Sequence, residues 1–219
     1  MENYSINPLK QNIKMKQYIG WFIAIFFPFA AKAIMDITKV PFISALIYWL
    51  VCGIILRLQF EKDLPYFKPQ FKKVKKELVL LTFATALCAY LYISGSNTVK
   101  LPAKELILNA FLFALLNGSF EQLVWVNILD LAGSRIKLNG YIAAFVYIGL
   151  IHAIFWSTFM PVPQTNTLIF IASQIFIFAI PVLIYNKTKD LTIWSIQHIL
   201  YNLMAVFFTN FGVHAFLHL

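Results

Sequence analysis

Long uninterrupted apolar runs constrain this chain more than any other feature. Seven can be marked along its 219 residues, about Tyr18–Met35, Pro41–Leu56, Leu78–Ile93, Leu106–Leu129, Gly140–Met160, Thr167–Tyr185 and Leu191–Thr209. Each is close to the roughly 20 residues that a helix needs to cross the hydrocarbon core of a bilayer. Barrel strands would be about half that length and would alternate in polarity. Continuous runs instead demand a structure that satisfies every backbone N–H and C=O within one segment, and that structure is the α-helix. The expected fold is therefore all-α: a polytopic membrane bundle of about seven transmembrane helices, forming one domain over residues 1–219. Pro28 and Pro181 fall inside the first and sixth runs, where neighbouring helices can absorb a lost backbone hydrogen bond.

Composition agrees with the runs. Only 12% of residues are charged, against roughly 25% in soluble domains. A net charge of +9 would point to nucleic acid in a soluble protein, but here Lys and Arg first report orientation, and no nucleic-acid partner is expected. With the N-terminus inside, fourteen of the 18 basic residues fall in cytoplasmic segments: Lys10, Lys14, Lys16, Arg57, Lys62, Lys68, Lys72, Lys73, Lys75, Lys76, Arg135, Lys137, Lys187 and Lys189. Only Lys32, Lys39, Lys100 and Lys104 fall outside. The predicted topology is N-in and C-out. Ala31-Lys32-Ala33 follows the first run and resembles a signal-peptidase site, but the long leader and the internal lysine favour an uncleaved span. Cys52 and Cys88 sit in apolar runs as small space-filling residues, and neither a disulfide nor a thiolate metal site is expected.

Between the second and third runs, over about residues 58–77, the residues Phe60, Leu64, Phe67, Phe71, Val74 and Leu78 recur at steps of three and four, with lysines between them. This is the pattern of a basic amphipathic segment on an anionic leaflet, with a helix beginning near Pro69. The alternative is a solvated loop whose basicity only fixes topology.

Ionisable groups cost roughly 2.5–3.5 kcal/mol each at membrane depth, so the few present are functional candidates. They are Glu121 in the fourth run, His152 in the fifth and His198 in the seventh. Asn117, Gln122, Trp125 and Asn127 flank Glu121, while Asn202 lies one helical turn after His198 on the same face. His214 and His218 fall beyond the last run. Asn117, Gln122 and Asn127 are read as interhelical hydrogen-bonding residues, and Trp125 as a packing or supporting residue. A carboxylate beside a histidine can take a proton from water, and a second imidazole with an amide on one face can steady an oxyanion. Glu, His and His could alternatively hold Zn²⁺, but no H-E-x-x-H motif is present, so no metal or other cofactor is expected.

The segment Lys189-Asp190-Leu191-Thr192-Ile193-Trp194-Ser195-Ile196-Gln197-His198-Ile199-Leu200-Tyr201-Asn202-Leu203 resembles the HxxxN segment of the CPBP family, the CAAX-protease and bacteriocin-processing intramembrane proteins. The resemblance covers about residues 105–210, in the order Glu motif, His motif, HxxxN. The family's EExxxR appears here as Glu121-Gln122-Leu123-Val124-Trp125-Val126, and its FxxxH as Ile148-Gly149-Leu150-Ile151-His152. The resemblance implies that Glu121 and His152 activate water while His198 and Asn202 form an oxyanion hole, with Gln122 and Trp125 in support. Gln122 and Val126 replace a Glu and an Arg together, so no unpaired charge is left buried.

Three functions follow as expectations. The first is an intramembrane endopeptidase acting on a membrane-embedded or lipidated peptide. In the second, the same cavity transfers an acyl group in lipoprotein modification. The third is a non-catalytic scaffold for a membrane-protein partner. Membrane lipids are partners in each, and Lys-, Ile-, Phe- and Asn-rich composition suggests a bacterial plasma membrane.

Overall fold

The computed structural model describes residues 8–95, 103–159 and 167–208. The described chain is helical, with seven helices: α1 (Pro8–Thr38), α2 (Pro41–Phe60), α3 (Lys75–Gly95), α4 (Ala103–Ala132), α5 (Lys137–Ile154), α6 (Thr167–Thr188) and α7 (Thr192–Phe208). Each lies over one of the apolar runs, because continuous hydrophobicity over that length can satisfy its backbone only as helix, though α5 stops at Ile154, short of the expected Met160, and a 3-10 turn follows over Trp156–Thr158. Four stretches are long and apolar enough to cross a membrane: Asn12–Thr38, Pro41–Phe60, Ala103–Ala132 and Lys137–Thr158. Shorter apolar helices run over Ile175–Thr188 and Thr192–Phe208. Every helix exposes large apolar side chains, among them Phe22, Leu50, Phe83, Phe111, Phe145, Phe176 and Phe207. Helices that are apolar on their outer faces suit lipid rather than water. The expected ends at Met160 and Thr209, Lys100, and the tail histidines His214 and His218 lie outside the described residues.

Two departures from the hydropathy pattern stand out. Helix α1 begins at Pro8, so the basic leader is helical, and it continues through Pro28 and Ala31–Ala33 without a break. Helices α2 and α4 each contain a widened, π-helical stretch, Trp49–Ile55 and Ala110–Leu115.

The contacts divide the chain into two compact units, Met1–Phe60 with Leu123–Thr158, and Glu61–Gln122 with Phe159–Leu219. In the first unit α1 packs on α2 and α5. Its interior is built from Ala24, Ala31, Met35, Tyr48, Trp49, Tyr147, Phe155 and Trp156. Tyr48 lies 6.5 Å between ring centres from both Tyr147 and Trp156. Polar side chains tie the helices: Ser44 Oγ donates to Ala31 O, and buried Arg57 donates to Asp130 Oδ2 at 2.9 Å. Asn127 Nδ2 donates to Cys52 O at 2.8 Å and to Gly53 O at 2.7 Å, both carbonyls of the widened turn in α2. This is the interhelical role read for Asn127 in the sequence.

In the second unit α3, α6 and α7 enclose an apolar core of Val74, Leu81, Ala84, Cys88, Ile177, Ile180, Ile184, Ile193, Tyr201 and Ala205. The early part of α4 packs on α7. Gly118 permits this approach: a Cβ there would sit 2.7 Å from both N and Cα of Ile199. Small residues at membrane-helix interfaces allow such backbone contact.

The segment between α2 and α3 corrects one expectation. No helix begins at Pro69; residues 64–70 are irregular, a single 3-10 turn spans Phe71–Lys73, and α3 starts at Lys75. Its backbone is held by tertiary hydrogen bonds instead. Leu191 N donates to Pro65 O at 2.6 Å, Phe67 N to Thr192 Oγ1 at 2.7 Å, and Lys68 N to Asp190 Oδ2 at 2.8 Å. Gln70 Nε2 donates to Thr188 O at 3.1 Å. The other Asp190 oxygen accepts from Thr192 N at 2.9 Å, capping the start of α7.

Candidate functional site

The second unit brings together Glu121, His198 and Asn117. His198 Nε2 lies 3.0 Å from Glu121 Oε2, and Asn117 Nδ2 donates to the same oxygen at 2.8 Å. All three are buried, Glu121 at 1% and His198 at 5% exposure. Helix geometry explains the arrangement. Asn117 and Glu121 are four apart and share a face of α4, while Gly118 in the same turn lets α7 come close enough for His198 to reach across. Two donors on one carboxylate oxygen fix the Glu121 side chain in a single orientation.

His198 stands six residues inside α7, about 9 Å from its first residue at 1.5 Å per residue. Its ring lies 5.8 Å from that of Tyr201, inclined by 29°. The entrance side of α7 is closed by the clamped segment, whose Tyr66 hydroxyl donates to Ser119 O at 2.5 Å, two residues before Glu121. The Glu121–His198 pair therefore lies close in sequence to the point on α4 to which the 64–70 segment is tied.

On the two helices that carry the pair, several buried polar atoms make no hydrogen bond among the described residues: both amide atoms of Gln122, Oγ of Ser195, both amide atoms of Gln197, and Nδ2 of Asn202. A buried polar group left unmatched costs about 1–3 kcal/mol. Ser195 and Asn202 bracket His198 on α7, at three residues before and four after, so all three share a face.

His152 belongs to the first unit. There it is exposed near the end of α5, with Nδ1 2.9 Å from Ile148 O and its ring 6.5 Å from that of Trp125. Trp125 is itself buried in the same unit. Of the residues singled out in the sequence, Glu121, Gln122, His198 and Asn202 thus lie in one unit, and His152 and Trp125 in the other.

Asn117, expected to bond between helices, also orients Glu121 within its own helix, and its spacing of four from Glu121 is the signal for that bond. For Gln122, expected likewise to bond between helices, the amide makes no hydrogen bond among the described residues. Ser195 carried no signal beyond its place in the HxxxN lead-in.

Catalytic zinc takes three protein ligands and an open position. Among the described residues no group of three His, Cys, Asp or Glu side chains converges. Comparison with protein-family models, with curated proteins and with solved structures returns no match.

Proposed function

We propose that this chain is a seven-span, N-in and C-out protein of a bacterial plasma membrane that hydrolyses a peptide bond in a membrane-embedded or lipidated substrate, in the manner of the CPBP proteins its HxxxN segment resembles. The observation that carries the reading is the buried Glu121–His198 hydrogen bond with Asn117 on the same carboxylate oxygen. A paired carboxylate and imidazole in a buried site take up and release a proton as a unit.

The chemistry divides as follows. The pair removes a proton from a water molecule as its oxygen attacks the scissile carbonyl carbon, so His198, bonded to Glu121, acts with the base rather than in the oxyanion hole where the resemblance puts it. Asn202 Nδ2, buried one turn from His198, donates to the oxyanion that forms. The C–N bond then breaks as the pair returns the proton to the departing amine, and the second water proton passes from the new carboxyl group to that amine, leaving a carboxylate and an ammonium group. The resemblance further assigns water activation to His152 and supporting roles to Gln122 and Trp125, and the His152→Ala variant tests the first of these.

The test is mass spectrometry of membrane peptides and lipoproteins from cells making the wild-type chain or the variants Glu121→Gln, His152→Ala, His198→Ala and Asn202→Ala. Hydrolysis predicts truncated peptides that disappear in the first three variants and fall about 10²-fold or more with the fourth, the usual loss for one oxyanion donor. A change in lipoprotein acyl mass without truncation would replace hydrolysis by acyl transfer. Identical peptide and lipid profiles in all the strains would leave a scaffold.

A further inference from the structure

The 64–71 segment carries a second function, independent of any catalytic reading. A loop with no further task would turn its apolar side chains inward. This one buries Pro65 and presents Leu64, Phe67 and Phe71 outward, with Phe67 89% exposed. Phe67 is held at φ 65°, a backbone region that bulky L-residues rarely adopt, and its N–H is fixed to Thr192. The fold therefore spends backbone strain and a tertiary hydrogen bond on keeping an aromatic ring out of the protein.

Charge surrounds that ring. Lys62, Lys68, Lys72, Lys73, Lys75 and Lys76 are all exposed on the segment and the first turn of α3, and Lys187 and Lys189 are exposed on the facing end of α6. The carboxylates nearby are Glu61 and Asp63, which are exposed, Glu77, which pairs with Lys187, and Asp190, which is buried and bound to the N–H groups of Lys68 and Thr192. Lysine is in excess. The segment also gathers three helix ends, the start of α3, the end of α6 and the start of α7, which puts it at the level where apolar helices give way to headgroups.

We infer that this clamped loop is an anionic-lipid anchor: Phe67 and Leu64 enter the boundary between headgroups and acyl chains while the lysines bind lipid phosphates. Apolar wedges among basic side chains are the composition that anionic leaflets attract. A rigid clamp adds to this, because no ordering of the loop is left to be done on contact.

The full-length protein carrying Phe67→Cys is spin-labelled at that position, Cys52 and Cys88 being buried, and reconstituted into phosphatidylcholine bilayers with or without phosphatidylglycerol. Collisions with oxygen and with a water-soluble nickel chelate report depth. With phosphatidylglycerol the label should be reached by oxygen and shielded from nickel. It should move toward nickel when Lys68, Lys72, Lys73, Lys75 and Lys76 are all changed to Gln, or when the anionic lipid is omitted. A label open to nickel in anionic bilayers, or shielded from both reagents as in a protein contact, overturns the inference. Labelling at Leu64→Cys gives the same readout should the first variant fail to fold.

Discussion

Single side chains decide both the bonding of the site and its cost. Asn117 and His198 converge on one oxygen of Glu121, so Asn117→Leu should loosen the carboxylate without removing it. The expected result is a fall in catalytic rate of about tenfold, one hydrogen bond's worth of roughly 1.4 kcal/mol, with the thermal midpoint little changed. Asn127 is a structural counterpart. Its amide satisfies two carbonyls of the widened turn in α2, and Asn127→Leu should destabilise the protein by about 2–3 kcal/mol, read as a lowered unfolding midpoint in detergent. The two asparagines looked alike in the sequence, since both lie in the same apolar run. Only their partners separate them, and the partner of Asn127 is a backbone 75 residues away.

At the scale of elements, the helices were legible and their irregularities were not. Seven apolar runs became seven helices because length and hydrophobicity leave no other way to satisfy the backbone. The 64–70 segment has a three-and-four spacing that suits a helix, yet Asp190, Thr192 and Thr188 bind its backbone and side chains instead. Such long-range partners leave no local periodic signal. The π-helical stretches are likewise set by packing. Two predictions belong here. Gly118→Ala should push α4 from α7 by forcing a Cβ against the Ile199 backbone, abolishing activity while leaving Glu121 and His198 in place in the sequence; activity of the purified variant is the check. The second concerns α3 and α6, joined by Glu77 and Lys187 just ahead of the apolar run. The hydrogen bond from Lys187 is the main cause that holds the Glu77 carboxyl below its ordinary value of 4.5. A carboxyl lowered in the folded state stabilises that state above its unfolded value and ceases to do so as pH falls through the folded one. Thermal midpoints should therefore drop more steeply below about pH 4.5 in the wild type than in Lys187→Gln, the two curves converging at low pH.

For the whole molecule, the few charges divide into two groups. Most Lys and Arg lie near helix ends or between helices, whereas Glu121 is buried against His198 inside a helical unit. The N-in and C-out proposal predicts that a reporter fused after Leu219 is active outside the cytoplasm; cytoplasmic activity would contradict it. The central claim is that the buried Glu121–His198 pair hydrolyses peptide bonds, and isotope incorporation tests it most directly. Purified wild type, Glu121→Gln and His198→Ala proteins are reconstituted into vesicles with a pool of membrane peptides in water enriched in heavy oxygen. The account predicts that the wild type creates new C-terminal carboxylates carrying one heavy oxygen, and that both variants create none. Undiminished cleavage by the variants, or wild-type products without the label, would contradict it.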